Sequence, residues 1–362
     1  MASSKDADFV GELKIAWDLK FKKNDKLVLV LCGSISSWID ENILNSSDFL
    51  GRVSLRLSLG ELELPLCHAF WRDRQQRISA LEKLKLLSVT GGVPRYLEEI
   101  IPSESAESNI KALCFDPAGI LFQEFESIFN DVFDRRAATY QTLVRSLIHG
   151  HKGLDAICRE LDCTTSGTFS RYLEDLESAG FIRRQFVYSP HTGKRKRFST
   201  YRLSDNYVRF YLRYIEPARD RIQAELYQFK SLENLAGYEA IMGLQFENLV
   251  LNNLHTILDR MNIAPDTVIS ASPYYQNRTR RQQACQIDLL IHTRYTLHVC
   301  EIKFQQVIPA TVIKETQAKI ATLTAPKSLS IRPTLIYGSK ISETLEQSHY
   351  FDHLISFESL LG

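Results

Sequence analysis

The sequence predicts a mixed α/β and α+β chain of several domains, and three stretches carry that expectation. The first is Lys26–Gly33, KLVLVLCG, an apolar run without alternation, as in a strand buried on both faces of a parallel sheet. The second is Leu154–Arg184, where two short helices flank a turn and strand-like segments follow. The third is Gln286–Gln306, two short apolar strands joined by a tight polar connection.

Composition bounds the rest. With 362 residues and 44% hydrophobic content the chain has material for about two to three domains with sizeable cores. A net charge of +1 excludes a global polyelectrolyte attraction, so any nucleic-acid contact must come from local patches. Seven cysteines (Cys32, Cys67, Cys114, Cys158, Cys163, Cys285, Cys300) are scattered, without CxxC spacing, which predicts free thiols in a reducing cytoplasm. The N-terminal MASSKDADF has no apolar h-region and no run approaches membrane-spanning length, so the expectation is a cytoplasmic protein with no membrane partner.

Taken in order, Phe9–Phe21 has helical periodicity, and Lys26–Gly33 reads as the buried strand. It ends in Gly33–Ser37, a small polar cluster that includes Ser34, at the strand end where α/β proteins place ligand contacts. Trp38–Leu44 reads as a helix and Gly51–Leu59, GRVSLRLSL, as a strand. A helix from about Gln75 to Val89 leads to the turn Thr90-Gly91-Gly92-Val93-Pro94 and a helix over Arg95–Ile100. On the residues alone, Ser34 can be a helix cap, and Gly92–Pro94 a turn and nothing more.

Ser105–Gly150 is helical, and Phe122, Phe125, Phe129 and Phe133 form a stripe read as core. In Leu154–Arg184 Gly180 ends the second helix, and Phe186–Tyr188 and Phe198–Leu203 form two strands around the polar wing Ser189–Arg197, which together make a winged helix-turn-helix. Thr165, Ser166, Thr168 and Arg171 stand at the start of its recognition helix, where short hydroxyls and an Arg can meet phosphates or base edges. The wing carries Lys194, Arg195, Lys196 and Arg197 in a row. DNA is therefore a candidate partner, through phosphates before bases; a protein–protein spacer with a solvated basic turn is the alternative. Tyr201, Tyr207, Phe210, Tyr211 and Tyr214 alternate with Arg202, Arg209 and Arg213, read as a packed aromatic face with the arginines on the other side, in preference to a base-stacking platform.

The last part opens on the helix Gly237–Asp259, which carries Glu247, followed by a strand at Thr267–Ser270 and a basic stretch with Arg278, Arg280 and Arg281. The strands Ile287–His292 and Leu297–Phe304 follow. Asp288 lies in the first; Glu301 and Lys303, two apart in the second, share a face. Two acids and a lysine converging at a hairpin end can hold a divalent cation such as Mg²⁺ and orient a water or offset phosphate charge. The alternative is an exposed ion pair contributing little. Ile313–Leu323 reads as a helix and PTLIYGSK as a buried strand. His349 and His353, four apart, have no evident third ligand and read as surface or structural.

The stretch Tyr238–Gly338 resembles the core of PD-(D/E)xK nucleases, in which an Asp and a Glu-x-Lys follow a helix-borne Glu. The resemblance implies Mg²⁺ on Asp288 and Glu301, with Glu247 assisting and Lys303 positioning the nucleophile for phosphodiester hydrolysis. LVLVLCGSISSWIDENIL, FLGRVSLRLSLGEL and GGVPRYLEEI resemble the back half of bacterial and archaeal AAA+/STAND-type ATPases that carry a winged helix and a C-terminal nuclease-like domain of the DUF234 type. That resemblance implies nucleotide roles for Ser34, Arg52, Gly92, Pro94 and Arg95. It also implies an organisation of 1–100 as an incomplete P-loop ATPase α/β portion, 101–150 as a helical lid, 151–204 as the winged helix, 205–235 as a helical linker and 236–362 as the nuclease-like domain. No GxxxxGK[ST] occurs, and no strand ending in adjacent acids precedes Lys26. The expectation is a chain that starts inside the ATPase domain, with an exposed sheet edge prone to self-association or pairing. It would bind ATP only with a separate P-loop-containing polypeptide and would not hydrolyse it alone. Two further readings stand beside the nuclease: a non-catalytic nucleotide-sensing or DNA- or protein-binding scaffold, and a decayed remnant of a split gene.

Overall fold

The computed structural model describes residues 8–33, 39, 43–279 and 283–362. The chain is a mixed helix-and-sheet protein in which one apolar core runs from Leu64 to Leu361. Helix α1 is Phe9–Leu19.

The two N-terminal strands expected at Lys26–Gly33 and Gly51–Leu59 do not form. Both segments lie open, with Val28 at 84% and Leu59 at 89% exposure. An apolar run has the propensity for a buried strand, but it is buried only when neighbouring strands and helices cover it, and no described strand pairs with either segment. Ser34 and most of the helix expected at Trp38–Leu44 lie outside the described residues.

Ordered packing begins at α2, Leu64–Cys67. Helix α3, Ala80–Thr90, starts later than the sequence pattern suggests because Ser79 caps it, its hydroxyl accepting from the Glu82 amide at 3.3 Å. The turn into α4, Pro94–Leu97, presses against the chain ahead of α2: the Leu62 amide donates to the Gly92 carbonyl at 2.7 Å. A Cβ on Gly92 would stand 2.2 Å from the Leu62 oxygen, so this site admits only glycine.

Helices α5 (Ala106–Cys114), α6 (Ile120–Phe133) and α7 (Ala137–Ser146) follow. The phenylalanine stripe of α6 is core: Phe125 stacks on Tyr211 at 4.3 Å and Phe129 on Phe181 at 4.8 Å. Then come β1 (Lys152–Gly153), α8 (Leu154–Glu160), α9 (Gly167–Ser178), β2 (Ile182–Tyr188) and β3 (Arg195–Leu203). The strands form an antiparallel sheet in the order β1-β3-β2, with a basic loop between β2 and β3.

Helix α10, Asn206–Phe210, continues into a π-helical turn at Tyr211–Ile215, and a short α11 spans Arg219–Gln223. The aromatics are buried as expected, but Arg202 and Arg209 are buried with them. The reason is that α10 is enclosed on several sides, and both guanidiniums find acceptors inside. Arg209 donates to the Leu203 carbonyl at 2.6 Å and to Gln245 at 2.9 Å. Arg202 reaches Asn252 at 2.7 Å and also Asn248.

The helix expected at Gly237–Asp259 is two helices, α12 (Tyr238–Asn252) and α13 (Leu254–Arg260). The break is at Asn253, whose side chain accepts from the Leu64 amide at 2.8 Å and ties the two ends of the core together. Strands β4 (Val268–Gln276), β5 (Cys285–Thr293) and β6 (Thr296–Lys303) are antiparallel neighbours. After the short β7 (Val307–Ile308), helix α14 (Thr311–Thr322) returns the chain to β8 (Ser330–Tyr337), parallel to β6. The chain ends with β9 (Lys340–Ile341), α15 (Glu343–Gln347), β10 (His353–Ser356) and α16 (Phe357–Leu360). The main sheet has the order β10-β8-β6-β5-β4, while β7 and β9 pair separately. His349 follows α15 outside any helix, with φ of 49°, and His353 is in a strand, so the two share no helix face.

Candidate functional site

Strands β5 and β6 pair as far as Leu289↔Cys300, and the next position brings Asp288 opposite Glu301. Directly opposed residues of an antiparallel pair share a face, so both carboxylates point to the same side. The ladder ends there, and Asp288 turns its Oδ2 to accept from the Ile302 amide at 2.9 Å. Glu301 is fully buried, which removes the exposed ion pair as an account of this site. Lys303 Nζ lies 3.4 Å from Glu301 Oε2 and 3.4 Å from Glu315 Oε2. From α14, Lys319 contacts Glu301 Oε1 and lies 3.8 Å from Asp288 Oδ1.

Burial drives the charge states. It raises the Asp288 carboxyl, Lys319 opposes the shift and Glu247 adds to it. Burial also raises Glu301, helped by Asp288 and opposed by Lys319. Burial disfavours the Lys303 ammonium, but Glu301, Asp288 and Glu315 together outweigh that and hold its pKa above the ordinary value. Glu247 on α12 joins the cluster electrostatically: burial raises it, while Arg202, Arg209 and Lys319 pull it down. The structure therefore brings Glu247, Asp288, Glu301 and Lys303 into one charge cluster and adds Lys319. The sequence placed Lys319 on a helix without a role. The available signal was its i,i+4 spacing from Glu315, which sets both on one helix face.

The donor set suits a hard cation. Two carboxylates converge, and the buried Oε2 of Glu301 has the Lys303 ammonium at 3.4 Å and no closer hydrogen-bond donor. Among the described residues no group of three or more His, Cys, Asp or Glu gathers at metal-holding distance. Arg278 is exposed on the loop after β4, while Arg280 and Arg281 lie outside the described residues.

Thr165, Ser166, Thr168 and Arg171 are exposed around the start of α9. The Ser166 hydroxyl is engaged as the helix cap, accepting from the Phe169 amide at 3.1 Å. Lys194, Arg195, Lys196 and Arg197 are exposed on the loop and the start of β3. Arg195 lies over Phe186 at 3.6 Å and Lys196 over Tyr274 of β4 at 5.2 Å. The loop thus lies along the edge of the main sheet, and a Cβ on Gly193 would meet Ile269 of β4 at 2.6 Å.

Ser34 lies outside the described residues; the other residues given nucleotide roles are engaged within the chain. Arg52 pairs with Asp18 at 2.8 Å. Arg95 pairs with Glu99 of its own helix region at 2.5 Å, and Pro94 is the first residue of α4. The Gly92 amide donates to Glu61 Oε2 at 3.3 Å. Glu61 keeps solvent-accessible surface while its carboxyl is closely surrounded; burial, then Asp205, push it up to about 7.

No family model matches the chain. It is 25% identical over 246 residues, 67% of its length, to an uncharacterized protein of Methanocaldococcus jannaschii, and the match spans about half (53%) of that relative. Protein VC1899 from Vibrio cholerae, a solved structure, aligns at 15% identity with a TM-score of 0.26, covering 68% of this chain and 55% of that one. No described helix is long and apolar enough to cross a membrane.

Proposed function

We propose that this chain is a DNA-contacting member of the AAA+/STAND-type ATPases with a winged helix and a PD-(D/E)xK nuclease-like domain that hydrolyses phosphodiester bonds. The observation that carries the reading is the convergence of Glu247, Asp288, Glu301 and Lys303, from one helix and two paired strands, on a single buried charge cluster. Asp288 and Glu301 would hold Mg²⁺, which supplies an activated water and neutralises phosphate charge. Lys303, kept protonated by three carboxylates, orients the attacking group and offers its charge to the phosphodiester. Glu247 holds the cluster's acidity in balance with Arg202. The helix–turn–helix with its basic loop acts as the winged helix that brings DNA phosphates near the sheet, since one of its cations, Lys196, lies over Tyr274 of β4. ATP would be bound only with a complementing P-loop polypeptide.

A second reading is a non-catalytic DNA- or protein-binding scaffold. What favours it is Lys319, which sits on Glu301 where a cation would compete with it. One assay separates the two: Mg²⁺- and Mn²⁺-dependent cleavage of plasmid and single-stranded DNA by wild type, Asp288→Ala and Lys303→Ala. Cleavage lost in both variants supports the nuclease. DNA binding that weakens when Lys194–Arg197 are changed to Gln, without cleavage by the wild type, supports the scaffold and overturns the nuclease.

A further inference from the structure

Away from this cluster, the π-helical turn at Tyr211–Ile215 and the segment 227–236 line an open cleft of about 690 Å³. We propose that it binds a nucleotide, with the phosphate on Arg213, Arg221 and Lys230 and the nucleoside against Tyr214, Phe229 and Leu235.

Three observations support this. The first is charge. The lining contains three cations and no carboxylate, although acids and bases are almost balanced over the whole chain. A one-signed concavity concentrates an anionic ligand. The second is Arg213. Its Nη2 donates to the Ala236 carbonyl at 2.9 Å, which fixes the head group, while its buried Nε donates to nothing. Among the described residues the Nε groups of Arg202 and Arg209 are likewise without acceptors, and of these three arginines Arg213 is the one that lines the cleft. The π turn that carries Arg213 is itself an irregularity that helices concentrate at functional positions.

The third is a wall built before any ligand arrives. Tyr227 is held between Phe115, stacked at 5.5 Å, and the Arg221 guanidinium at 5.3 Å. Phe229 packs edge-on against Phe115 at 4.8 Å. Arg221 is therefore positioned over an ordered ring, and Arg213 lies over Tyr214 at 5.8 Å, which reduces the entropy lost on binding. A bare phosphate would occupy a small part of this volume. The rest is walled by aromatic and aliphatic groups suited to a sugar and base.

Calorimetric titration of the full chain with AMP tests the site. Binding is expected in the submillimolar range, and Arg213→Gln with Lys230→Gln should weaken it by at least about tenfold. Inorganic phosphate should bind at least about tenfold more weakly than AMP. Lys327→Gln with Lys340→Gln, two exposed lysines outside the cleft lining, should leave the affinity unchanged. Should Arg213→Gln disturb the helical circular dichroism, the exposed Lys230→Gln alone carries the comparison. No AMP binding by wild type, equal affinity in the cleft variants, or loss in the Lys327/Lys340 variant would each overturn the proposal. Phosphate binding as tightly as AMP would reduce the cleft to an anion site and overturn the nucleotide assignment. Tighter binding of a single-stranded oligonucleotide, undiminished in the cleft variants, would do the same.

Discussion

Replacing Lys319 by Ala tests how the acidic cluster is held together. Glu301 is fully buried and has two ammonium neighbours, Lys319 in direct contact and Lys303 at 3.4 Å. Removing the sole partner of a buried charge costs about 3–5 kcal/mol. Lys303 remains in place, and the Lys319 side chain is 26% exposed, so the expected loss is about 2 kcal/mol. The sign of the pH dependence follows from Glu301. Its pKa is raised by burial, so at low pH it takes up a proton and no longer needs an ammonium. Lys319→Ala should therefore destabilise the chain at pH 8 and less at pH 4, below the ordinary glutamate value of 4.5 from which Glu301 is raised. Urea unfolding followed by circular dichroism reads this as a lower midpoint at pH 8, by between about 0.5 and 1 M. A double-mutant cycle with Glu301→Gln should show that most of the loss disappears once the carboxylate is gone. An equal loss at both pH values, or one that persists in the Gln background, would show that Lys319 acts by packing and not as a counter-ion.

Two further substitutions probe the frame around the site. Asp205 caps α10, accepting from the Val208 amide at 2.8 Å, and burial raises its pKa from 3.8 to about 6, against the pull of the Val208 and Tyr207 amides and Arg209. The folded chain then holds a proton that the unfolded chain releases, so this group's contribution to stability falls from about pH 4 to pH 6 and is level above. Asp205→Asn keeps the cap and removes the slope; stability relative to wild type should rise across that window by up to about 3 kcal/mol, and parallel curves would disprove the shift. Gly92→Ala should cost about 2 kcal/mol or more, because its Cβ meets the Leu62 carbonyl, whereas Gly11→Ala in α1, with open space around it, should raise or leave unchanged the melting temperature. Equal melting temperatures for the two variants would refute the close approach.

The sequence carried the acidic cluster's main part because strand alternation is a local rule. Glu301 and Lys303 share a face by spacing alone, and the tight connection after His292 places Asp288 within one ladder step of Glu301. Lys319 was not legible as a partner: its spacing shows a helix face, but which sheet face that helix covers depends on how the chain returns from β6 to β8. Arg202 and Arg209 were misplaced for a related reason. An arginine among aromatics is expected at the outer face of a helix, and nothing local announces that α12 supplies Asn248, Asn252 and Gln245 as buried acceptors. The opposite failure occurred at Lys26–Gly33 and Gly51–Leu59, where apolar pattern indicates a capacity for burial and the described structure provides no sheet to use it.

Those misplaced arginines alter how the cluster should be understood. Arg202 leaves β3 of the small sheet and bonds Asn248, the position after Glu247 on α12, and Asn252 one turn further on. Its charge is also the first of those that favour the ionised form of Glu247. On the other side Tyr275 of β4 meets His151, just ahead of β1, at 3.2 Å, and burial followed by Glu247 and Asp288 raises that tyrosine. The acidic cluster is thus not a feature of the main sheet alone. Burial raises its third carboxylate, and a guanidinium from β3 of the small sheet is the first of the charges that oppose that rise, so displacement of β3 would change the charge balance at Glu247 without moving either strand that carries Asp288 and Glu301.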